Sequence, residues 1–355
     1  MTLNTILLDY YKNKAVQFVT HQQPFLLECG RSLSKLNIAY CTYGKLNANR
    51  DNVVWVCHAL TANADVADWW DGLVGSGKLF DPAKYFIVCA NMIGSSYGST
   101  CPASINAETG KAFYQDFPLI TIRDIVRSQQ ILCEYLQINK VKVLLGGSMG
   151  GQQVLEWAIQ QPDLFEYIIP IATNAKHSPW GIAFNEAQRM ALEADPSLFS
   201  DEPGAGEKGL EAARAIAMLS YRHYRTYDLS QQDSNSKIDG FRASSYQKYQ
   251  GLKLRKRFHP LSYYYLSKAM DSQDVGRDRG GLDKALSRIK AQTLVIAIET
   301  DVLFPPSEQK LIAAHIHNAR YQEIYSDYGH DGFLIEYAQL EKIIGQFLGN
   351  SQSSS

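Results

Sequence analysis

The strongest constraint on the fold is a series of short, almost wholly apolar segments that alternate with segments of helical periodicity. The apolar segments are NVVWVCHAL, YFIVCANMI, KVKVLLGG, YIIPIAT, TLVIAIET and the less apolar RYQEIYSD. Strands that are apolar on both faces are typical of parallel sheets covered by helices on either side. The helical candidates are residues 121–137, 151–161, 305–316 and 335–348. This alternation predicts an α/β fold with a mostly parallel central sheet flanked by helices.

Two regions depart from this alternation, one at its start and one between the fourth and fifth apolar segments. The leading segments FLLECG and KLNIAYCTYG are separated by a short link, so we expect an antiparallel start to the sheet. From about residue 177 to 290 the candidates are all helical, which predicts a cap over the strand ends where ligands bind in such sheets. We therefore expect an α/β core of residues 1–176 and 291–350, a helical cap (lid) of residues 177–290, and a frayed tail of residues 351–355.

Composition narrows the classes of function. A net charge of −1 offers no basic field for nucleic acid or for an anionic membrane surface. No uninterrupted apolar run approaches the about 18 residues of a transmembrane helix. The first segment, MTLNTILLDYYKNKAVQF, lacks the basic region, long apolar run and cleavage site of a signal peptide. We therefore expect a cytoplasmic protein with neither nucleic-acid nor membrane partners.

The six cysteines form no CxxC pair. In a chain of this length that spacing argues against both a disulfide framework and a zinc site, so we expect no metal. Several cysteines lie inside apolar runs, where a thiol behaves as a small hydrophobic side chain. Cys101, beside Pro102 in a loop, is left without an assignment.

The segment GGSMGG, residues 146–151, follows an apolar strand and opens a helix. Gly146-x-Ser148-x-Gly150 fits the nucleophile elbow, in which a serine sits on a tight strand-to-helix turn. Glycines are needed there because side chains would collide with the neighbouring strand or helix. The alternatives are a plain glycine-rich turn and a phosphate loop, but no lysine follows the glycines as in a Walker loop. The pattern favours Ser148 as a nucleophile.

A serine hydroxyl needs a base that is oriented by an acid, and in this fold the chain order is Ser, then Asp or Glu, then His. His330, in DYGHDGFL, follows the last strand-like segment, and Asp301 ends the strand TLVIAIETD. Both would lie at the same sheet edge as Ser148. Glu299 and Asp327 are rival acids that remain open. The histidines at 315 and 317 lie in a helical pattern, so we expect them at the surface.

Two backbone N–H groups are candidates for an oxyanion hole. Met149 follows the serine at a helix N-terminus, where partial positive charge accumulates. The second donor should come from the loop HALTANAD, which makes the N–H of Leu60 the candidate. Because leucine stands here where many esterases have glycine, we expect the oxyanion hole to be narrow and apolar. For His58 and Thr61 in the same loop, we favour a loop-shaping role through hydrogen bonds over direct catalysis.

These stretches together resemble the homoserine O-acetyltransferase family of α/β-hydrolase-fold enzymes. The matching segments are HALTANADVADWW, GSGKLFDPAKYFIVCANMIGSSYGSTCPASIN, DFPLITIRDIV, GGSMGGQQVLEWA and YGHDGFL, and the likeness runs from about residue 20 to 350. The family's catalytic triad maps onto Ser148, Asp301 and His330. One departure is SSYGSTCPAS, where Ser95 and Cys101 stand at positions that are more often glycine in the family. That difference leaves open how this loop meets the substrate.

The resemblance implies acetyl transfer from acetyl-CoA to the hydroxyl of L-homoserine, an early step of methionine biosynthesis. The route would be ping-pong through a Ser148 acyl-enzyme, with acetyl-CoA as a co-substrate and no bound cofactor. The family also suggests a homodimer. The alternatives are a homoserine or serine O-succinyltransferase, a serine acetyltransferase, an esterase or deacetylase on the same fold, and a non-catalytic binding protein.

A zwitterionic amino acid needs one anion and one cation beside the triad. Asp331, directly after His330, is positioned for the amino group. Arg214 lies in the apolar stretch AARAIAM, and Tyr221, seven residues on, shares its helix face. The family's substrate-gripping Arg and Tyr map onto these two positions; the alternative is that Arg214 extends its head into water. Arg222 and Arg225 are expected to be surface or CoA-facing charges.

Overall fold

The computed structural model describes residues 16–350, and an eight-stranded sheet lies at its centre. Within that range the strands are β1 (Gln17–His21), β2 (Phe25–Leu26), β3 (Ser32–Leu33), β4 (Leu36–Tyr43), β5 (Val53–Cys57), β6 (Phe86–Ala90), β7 (Val141–Gly147), β8 (Phe165–Ile171), β9 (Gln292–Ile298) and β10 (Ala319–Ile324). The order across the sheet is β1-β4-β6-β5-β7-β8-β9-β10. The β1–β4 and β4–β6 pairs are antiparallel, and every pair from β6 to β10 is parallel. The predicted mostly parallel sheet is confirmed.

The helices of the described range include the four that the sequence predicts. They are α1 (Val66–Trp69), α2 (Ile122–Tyr135), α3 (Met149–Gln160), α4 (Pro179–Glu193), α5 (Glu207–Tyr221), α6 (Tyr224–Gln231), α7 (Arg242–Arg255), α8 (Pro260–Asp271), α9 (Leu282–Leu286), α10 (Pro306–His315) and α11 (Tyr337–Asn350), with 3-10 helices at Tyr114–Asp116 and Gly329–Leu334. The predicted helices correspond to α2, α3, α10 and α11. Among these helices, none is both long enough and apolar enough to cross a lipid bilayer.

Helices cover both faces of the sheet, which explains why its central strands are apolar throughout. Along β5, Trp55 packs in one buried cluster with Leu155 of α3, whereas Val54 and Val56 pack on the other face with Ile344 of α11. Alternate side chains of one strand therefore enter two separate cores.

The antiparallel start of the sheet is confirmed, but the predicted strand FLLECG is wrong. The antiparallel neighbour of β4 is β1, and only Phe25–Leu26 of the predicted segment is extended, in a separate two-stranded sheet with β3. A tight turn follows at once, in which the N–H of Leu27 donates to the carbonyl of Arg31 at 2.8 Å and Gly30 has a φ of 85°. The turn ends the strand because glycine adopts a positive φ without strain.

Between β8 and β9 every regular element of the described chain is a helix, from α4 to α9. These helices are not isolated from the sheet, since Tyr263 and Leu266 of α8 belong to the same buried cluster as Trp55 of β5. The division into a core and a separate cap at residues 177–290 therefore stays a prediction. The predicted frayed tail, residues 351–355, and the first fifteen residues of the predicted core lie outside the described range.

Glycines allow α3 to approach β5 closely at the end of β7. A Cβ atom on Gly150 would lie 2.1 Å from the carbonyl oxygen of Cys57, and one on Gly146 would lie 2.6 Å from the same oxygen. Backbone atoms in a close-packed central strand cannot move aside as a flexible side chain can. The predicted need for glycine on either side of Ser148 is confirmed.

We expect Gly150→Ala to lower the free energy of unfolding by about 3 kcal/mol, because the added methyl group would overlap the backbone of β5. Gly345→Ala is a matched control: it lies in α11, and a Cβ there would have only Leu79 nearby, at 3.8 Å. Alanine in place of a helical glycine should stabilise the protein by about 0.5–1 kcal/mol. Urea unfolding of both variants measures the difference. A Gly150→Ala protein as stable as the parent would contradict this packing.

Candidate active site

Ser148 sits on the turn between β7 and α3 with a φ of 59° and a ψ of −126°. A non-glycine residue rarely adopts this conformation, which costs about 1–3 kcal/mol. Two hydrogen bonds hold it: the N–H of Ser148 donates to the carbonyl of Ile171 at 2.9 Å, and the hydroxyl of Thr173 donates to the Ser148 carbonyl at 2.8 Å. The strained backbone that the elbow motif predicts is therefore present.

His330 and Asp301 lie in direct contact with each other. Asp301 follows β9, and His330 lies in the 3-10 helix after β10. Nδ1 of His330 is 2.6 Å from Oδ2 of Asp301, and both side chains are buried. The other carboxylate oxygen accepts the N–H groups of Leu303 at 2.8 Å and Phe304 at 2.9 Å. With Nδ1 donating to Asp301, Nε2 is the ring nitrogen that is left for another partner.

The surroundings of His330 favour its protonated form. Burial lowers the pKa of His330, but the negative charge and the hydrogen bond of Asp301 outweigh it, and Asp331 adds in the same direction. The net result is a pKa above the ordinary value of 6.5. An imidazole stabilised in this way is suited to accept a proton from a nearby hydroxyl.

The structure does not bring the rival acids to His330. The side chain of Glu299 is exposed, and the carboxylate of Asp327 accepts a hydrogen bond from the Tyr325 hydroxyl at 2.5 Å. Of the other histidines considered, His315 pairs with Asp283 at 3.0 Å at the end of α10, and residue 317 is exposed. The geometry therefore agrees with the choice of Asp301 over its rivals.

The loop after β5 carries the predicted oxyanion donor Leu60 in a tight turn. The N–H of Ala62 donates to the carbonyl of Ala59 at 3.0 Å. Nδ1 of His58 lies 2.8 Å from the same carbonyl, and its Nε2 accepts the N–H of Met92 at 3.1 Å. Burial lowers the pKa of His58 to about 4, so the ring is neutral. These partners assign the proton to Nδ1, which donates to Ala59.

The Ala59 carbonyl and the Leu60 N–H belong to one planar peptide group, so the bonds that fix the carbonyl also fix the direction of the N–H. The other predicted donor, Met149, is the first residue of α3 and its N–H has no partner within the helix. His58 is fully buried behind this loop, and the Thr61 carbonyl accepts Nη1 of Arg257 at 2.5 Å. These contacts agree with a loop-shaping role for His58 and Thr61.

A cavity of about 430 Å³ opens at this edge of the sheet. It is lined by the loop after β5, by α5 and α7, and by the 3-10 helix Gly329–Leu334. The predicted site residues that reach it are Leu60, Ser148, Arg214, Tyr221, His330 and Asp331. One space is thus shared by the nucleophile candidate, its base and the predicted substrate-binding side chains.

Arg214 and Tyr221 lie on the same face of α5, as their spacing predicts. The guanidinium carbon of Arg214 is 5.1 Å from the centre of the Tyr221 ring, which itself lies 5.8 Å from the centre of the His330 ring. Burial raises the pKa of Tyr221, partly offset by the charge of Arg214, so the phenol stays protonated. The arrangement offers a cation and a hydroxyl beside the triad.

Of the two positions expected for Arg222, the structure excludes the surface, because the side chain lines the cavity. The CoA-facing position stays a prediction. Nε of Arg222 lies 2.9 Å from Oδ2 of Asp331, and both side chains are mostly buried at the cavity wall. Arg222 follows the last residue of α5 with an extended backbone (φ −114°, ψ 140°), so its side chain departs from the helical direction that its spacing suggested. Asp331 therefore already has a cationic partner. Arg225, by contrast, is half-exposed and bonds the Tyr325 hydroxyl at 2.9 Å, as expected of a surface charge.

Sequence reasoning missed two cations of the cavity wall, Lys253 and Arg257. The sequence shows a basic cluster at residues 253–257, but it does not show which of its members faces a cavity.

In the loop that departs from the family pattern, Ser95 and Cys101 are both fully buried. Burial raises the pKa of the Cys101 thiol, which contacts the Ser104 hydroxyl at 3.6 Å. Among residues 16–350 no cluster of His, Cys, Asp and Glu side chains could hold a metal ion.

Comparisons with known proteins agree with the fold. A family model of the alpha/beta hydrolase fold matches residues 52–337. The homoserine O-acetyltransferase of Cyclobacterium marinum is 52% identical over 326 residues, which cover 92% of this chain and 93% of that protein. The crystal structure of homoserine O-acetyltransferase from Bacillus anthracis is 25% identical with a TM-score of 0.88, covering 94% of this chain and 97% of that one. The acetyl esterase MekB is 26% identical with a TM-score of 0.83, covering 94% and 96%. The chain belongs to the homoserine O-acetyltransferase family, within the alpha/beta hydrolase fold.

Proposed function

We propose that this protein transfers an acetyl group from acetyl-CoA to the hydroxyl of L-homoserine, as an enzyme of methionine biosynthesis. The observation that carries the proposal is the 2.6 Å contact between Asp301 and His330, where His330 lines a cavity together with Ser148 and Arg214. The 52% identity to a homoserine O-acetyltransferase supports the choice of substrates. Acetyl-CoA acts as a co-substrate, and the proposed chemistry needs neither a metal nor a bound cofactor.

In the first half-reaction, Oγ of Ser148 attacks the thioester carbonyl carbon while Nε2 of His330 takes its proton. The negative oxygen of the tetrahedral intermediate is stabilised by the N–H groups of Leu60 and Met149. When the carbon–sulfur bond breaks, the CoA sulfur receives the proton from His330 and leaves. Ser148 then carries the acetyl group as an ester. Asp301 keeps the proton-bearing Nδ1 oriented and stabilises the imidazolium in each step.

In the second half-reaction, the homoserine hydroxyl attacks the acyl-enzyme. Nε2 of His330 removes its proton and passes it to Oγ of Ser148 as the ester bond breaks, so the enzyme returns to its starting state. Arg214 and Tyr221 hold the substrate carboxylate, and Asp331 accepts the ammonium group. Holding both ends of the amino acid brings its hydroxyl close to the acyl carbon.

An esterase or deacetylase is the alternative that one specific observation favours, since an acetyl esterase shares this fold with a TM-score of 0.83. Transfer and hydrolysis use the same triad and differ in whether homoserine or water reaches the acyl-enzyme. A succinyl donor or a serine acceptor would also use this chemistry. The names of the relatives favour acetyl and homoserine.

The proposal includes a cytoplasmic homodimer. The surface around α6 and the segment that follows it exposes apolar side chains, with Leu229 exposed by 76% and Ile238 by 100%. Large apolar side chains that are this exposed favour a protein partner, here a second copy of the chain. Sedimentation equilibrium measures the mass of the protein in solution, which we expect to be that of two chains.

The acyl-enzyme is tested by intact-protein mass spectrometry after mixing with acetyl-CoA alone. We expect a mass gain of one acetyl group that disappears on adding homoserine, with release of free CoA. Ser148→Ala should show no acetyl adduct and should lose at least about four orders of magnitude in kcat/KM. Thiol release that ignores homoserine, together with fast cleavage of small esters, would instead identify a hydrolase.

Arg214→Ala should raise the KM for homoserine by about 100-fold, because the substrate carboxylate loses a charged hydrogen-bond partner. Acylation by acetyl-CoA, followed as the first burst of CoA release, should change far less. Arg225→Ala is the control, since this arginine is half-exposed and does not line the cavity. Equal effects on both half-reactions would show that Arg214 does not bind the acceptor.

The pH dependence of acylation should report the raised pKa of His330. The imidazole must be neutral to accept the serine proton, so kcat/KM should fall as the pH drops through a value above 6.5. Asp301→Asn removes the charge that raises this pKa, so burial then dominates and the acidic limb should move to lower pH. The same change should reduce the maximal rate by about 10⁴-fold, since the asparagine favours the wrong tautomer. An acidic limb that stays at the same pH in Asp301→Asn would show that Asp301 does not raise the pKa of His330.

A further inference from the structure

One wall of the cavity is a stripe of side chains from the end of α7. Gln250, Lys253 and Arg257 all line the cavity and are spaced i, i+3 and i+7. The helical turn continues beyond Arg255, since the N–H of Arg257 donates to the carbonyl of Leu254 at 2.9 Å. The spacing therefore places the three side chains on one face of a single helical segment.

This wall gives the cavity a surplus of positive charge. The cavity is lined by the cations Arg214, Arg222, Lys253 and Arg257 and by only two carboxylates, Asp68 and Asp331. The whole chain carries a net charge of −1, so the surplus is local. A zwitterionic amino acid with one carboxylate has no need of four cations. The excess indicates a second, strongly anionic group in the same space.

Two of the four cations are already accounted for. Arg222 pairs with Asp331, and Arg214 lies beside Tyr221 at the triad. Within residues 16–350, the remaining two, Lys253 and Arg257, form no ion pair with a carboxylate. Arg257 donates to neutral oxygens, those of the Thr61 carbonyl and the Tyr97 hydroxyl, the latter at 2.8 Å.

Lys253 is more exposed than Arg257, so of these two cavity residues it lies nearer the solvent. Among the described residues, the ion pairs of this basic segment are made by Arg255, which contacts Glu207 at 3.2 Å and Glu211 at 2.6 Å. Those contacts hold the helix end against α5, while Lys253 lines the cavity and stays exposed.

We propose that Lys253 and Arg257 bind phosphate groups of the CoA donor, with Lys253 at the cavity mouth and Arg257 deeper in its wall. The inference rests on the proposed function, since it concerns how that donor is held. Arginine and lysine are the side chains that bind phosphates most strongly. With the nucleotide held at the mouth, the thioester end of the donor extends inward to Ser148. Because Arg257 also bonds the Thr61 carbonyl, next to Leu60, the donor's phosphates and the oxyanion loop would contact the same guanidinium.

The test compares two thioesters in Lys253→Ala, Lys253→Glu and the parent enzyme. Acetyl-CoA carries the phosphates, and S-acetyl-N-acetylcysteamine presents the same acetyl thioester without them. We expect the ratio of kcat/KM for acetyl-CoA to that for the small thioester to fall about tenfold in Lys253→Ala and further in Lys253→Glu. High salt should lower this ratio in the parent enzyme until it approaches the ratio of Lys253→Ala, because salt screens the charge of an exposed lysine. Lys256→Ala, an exposed neighbour outside the cavity, is the control and should keep the parent ratio.

Calorimetric titration gives a second readout that needs no turnover. The Kd for CoA should rise about tenfold in Lys253→Ala, whereas the Kd for pantetheine, which lacks the phosphates, should not follow it. A Lys253→Glu enzyme with the parent ratio and the parent Kd for CoA would overturn the assignment. Failure of the proposed function looks different: the parent enzyme would then form no acetyl adduct with either thioester.

Discussion

The backbone of Ser148 is the constraint on which the rest of the site depends. A φ of 59° is unfavourable for a serine, so the turn persists only because its surroundings determine it. The N–H and carbonyl of Ser148 are bonded to Ile171 and Thr173 at the end of β8, and Gly150 allows α3 to touch the backbone of β5. The position of the hydroxyl is thus set by three neighbouring strands of the sheet. A looser turn would leave the serine without a fixed relation to the base or to the oxyanion donors.

The two proposed oxyanion donors come from segments that a buried chain of amides joins. Nε2 of Gln153 in α3 donates to the His58 carbonyl and to the Met149 carbonyl, each at 3.1 Å. Its side-chain oxygen accepts Nε2 of Gln129 at 2.5 Å, and the oxygen of Gln129 accepts the indole N–H of Trp55 at 2.8 Å. Buried polar networks whose members are paired hold one geometry, because breaking any bond leaves an unsatisfied group in an apolar core. The loop after β5 and the first turn of α3 therefore keep a fixed separation.

The sequence predicted the features that depend on local chain chemistry. Glycines beside Ser148 at the end of an apolar strand indicate the elbow, and the chain order of the fold then directs attention to His330. The strand FLLECG was wrong because an apolar run does not reveal a turn that begins within it. Arg222 is not at the surface, one of its two expected positions, because helical spacing fails at the residue where the helix ends. The position of Lys253 at the cavity wall was missed because a basic helical cluster has the same pattern whether it faces water or a cavity.

The ion pair between Arg222 and Asp331 resolves a conflict that the proposed reaction creates. An unpaired carboxylate at position 331 would raise the pKa of His330 further, and a protonated imidazole cannot accept the serine proton. With the guanidinium 2.9 Å away, much of that charge is offset before any substrate arrives. A carboxylate has enough lone pairs to keep Arg222 and still accept a substrate ammonium group. The same pair therefore keeps the base competent and leaves a carboxylate oxygen for the ammonium group of the proposed acceptor.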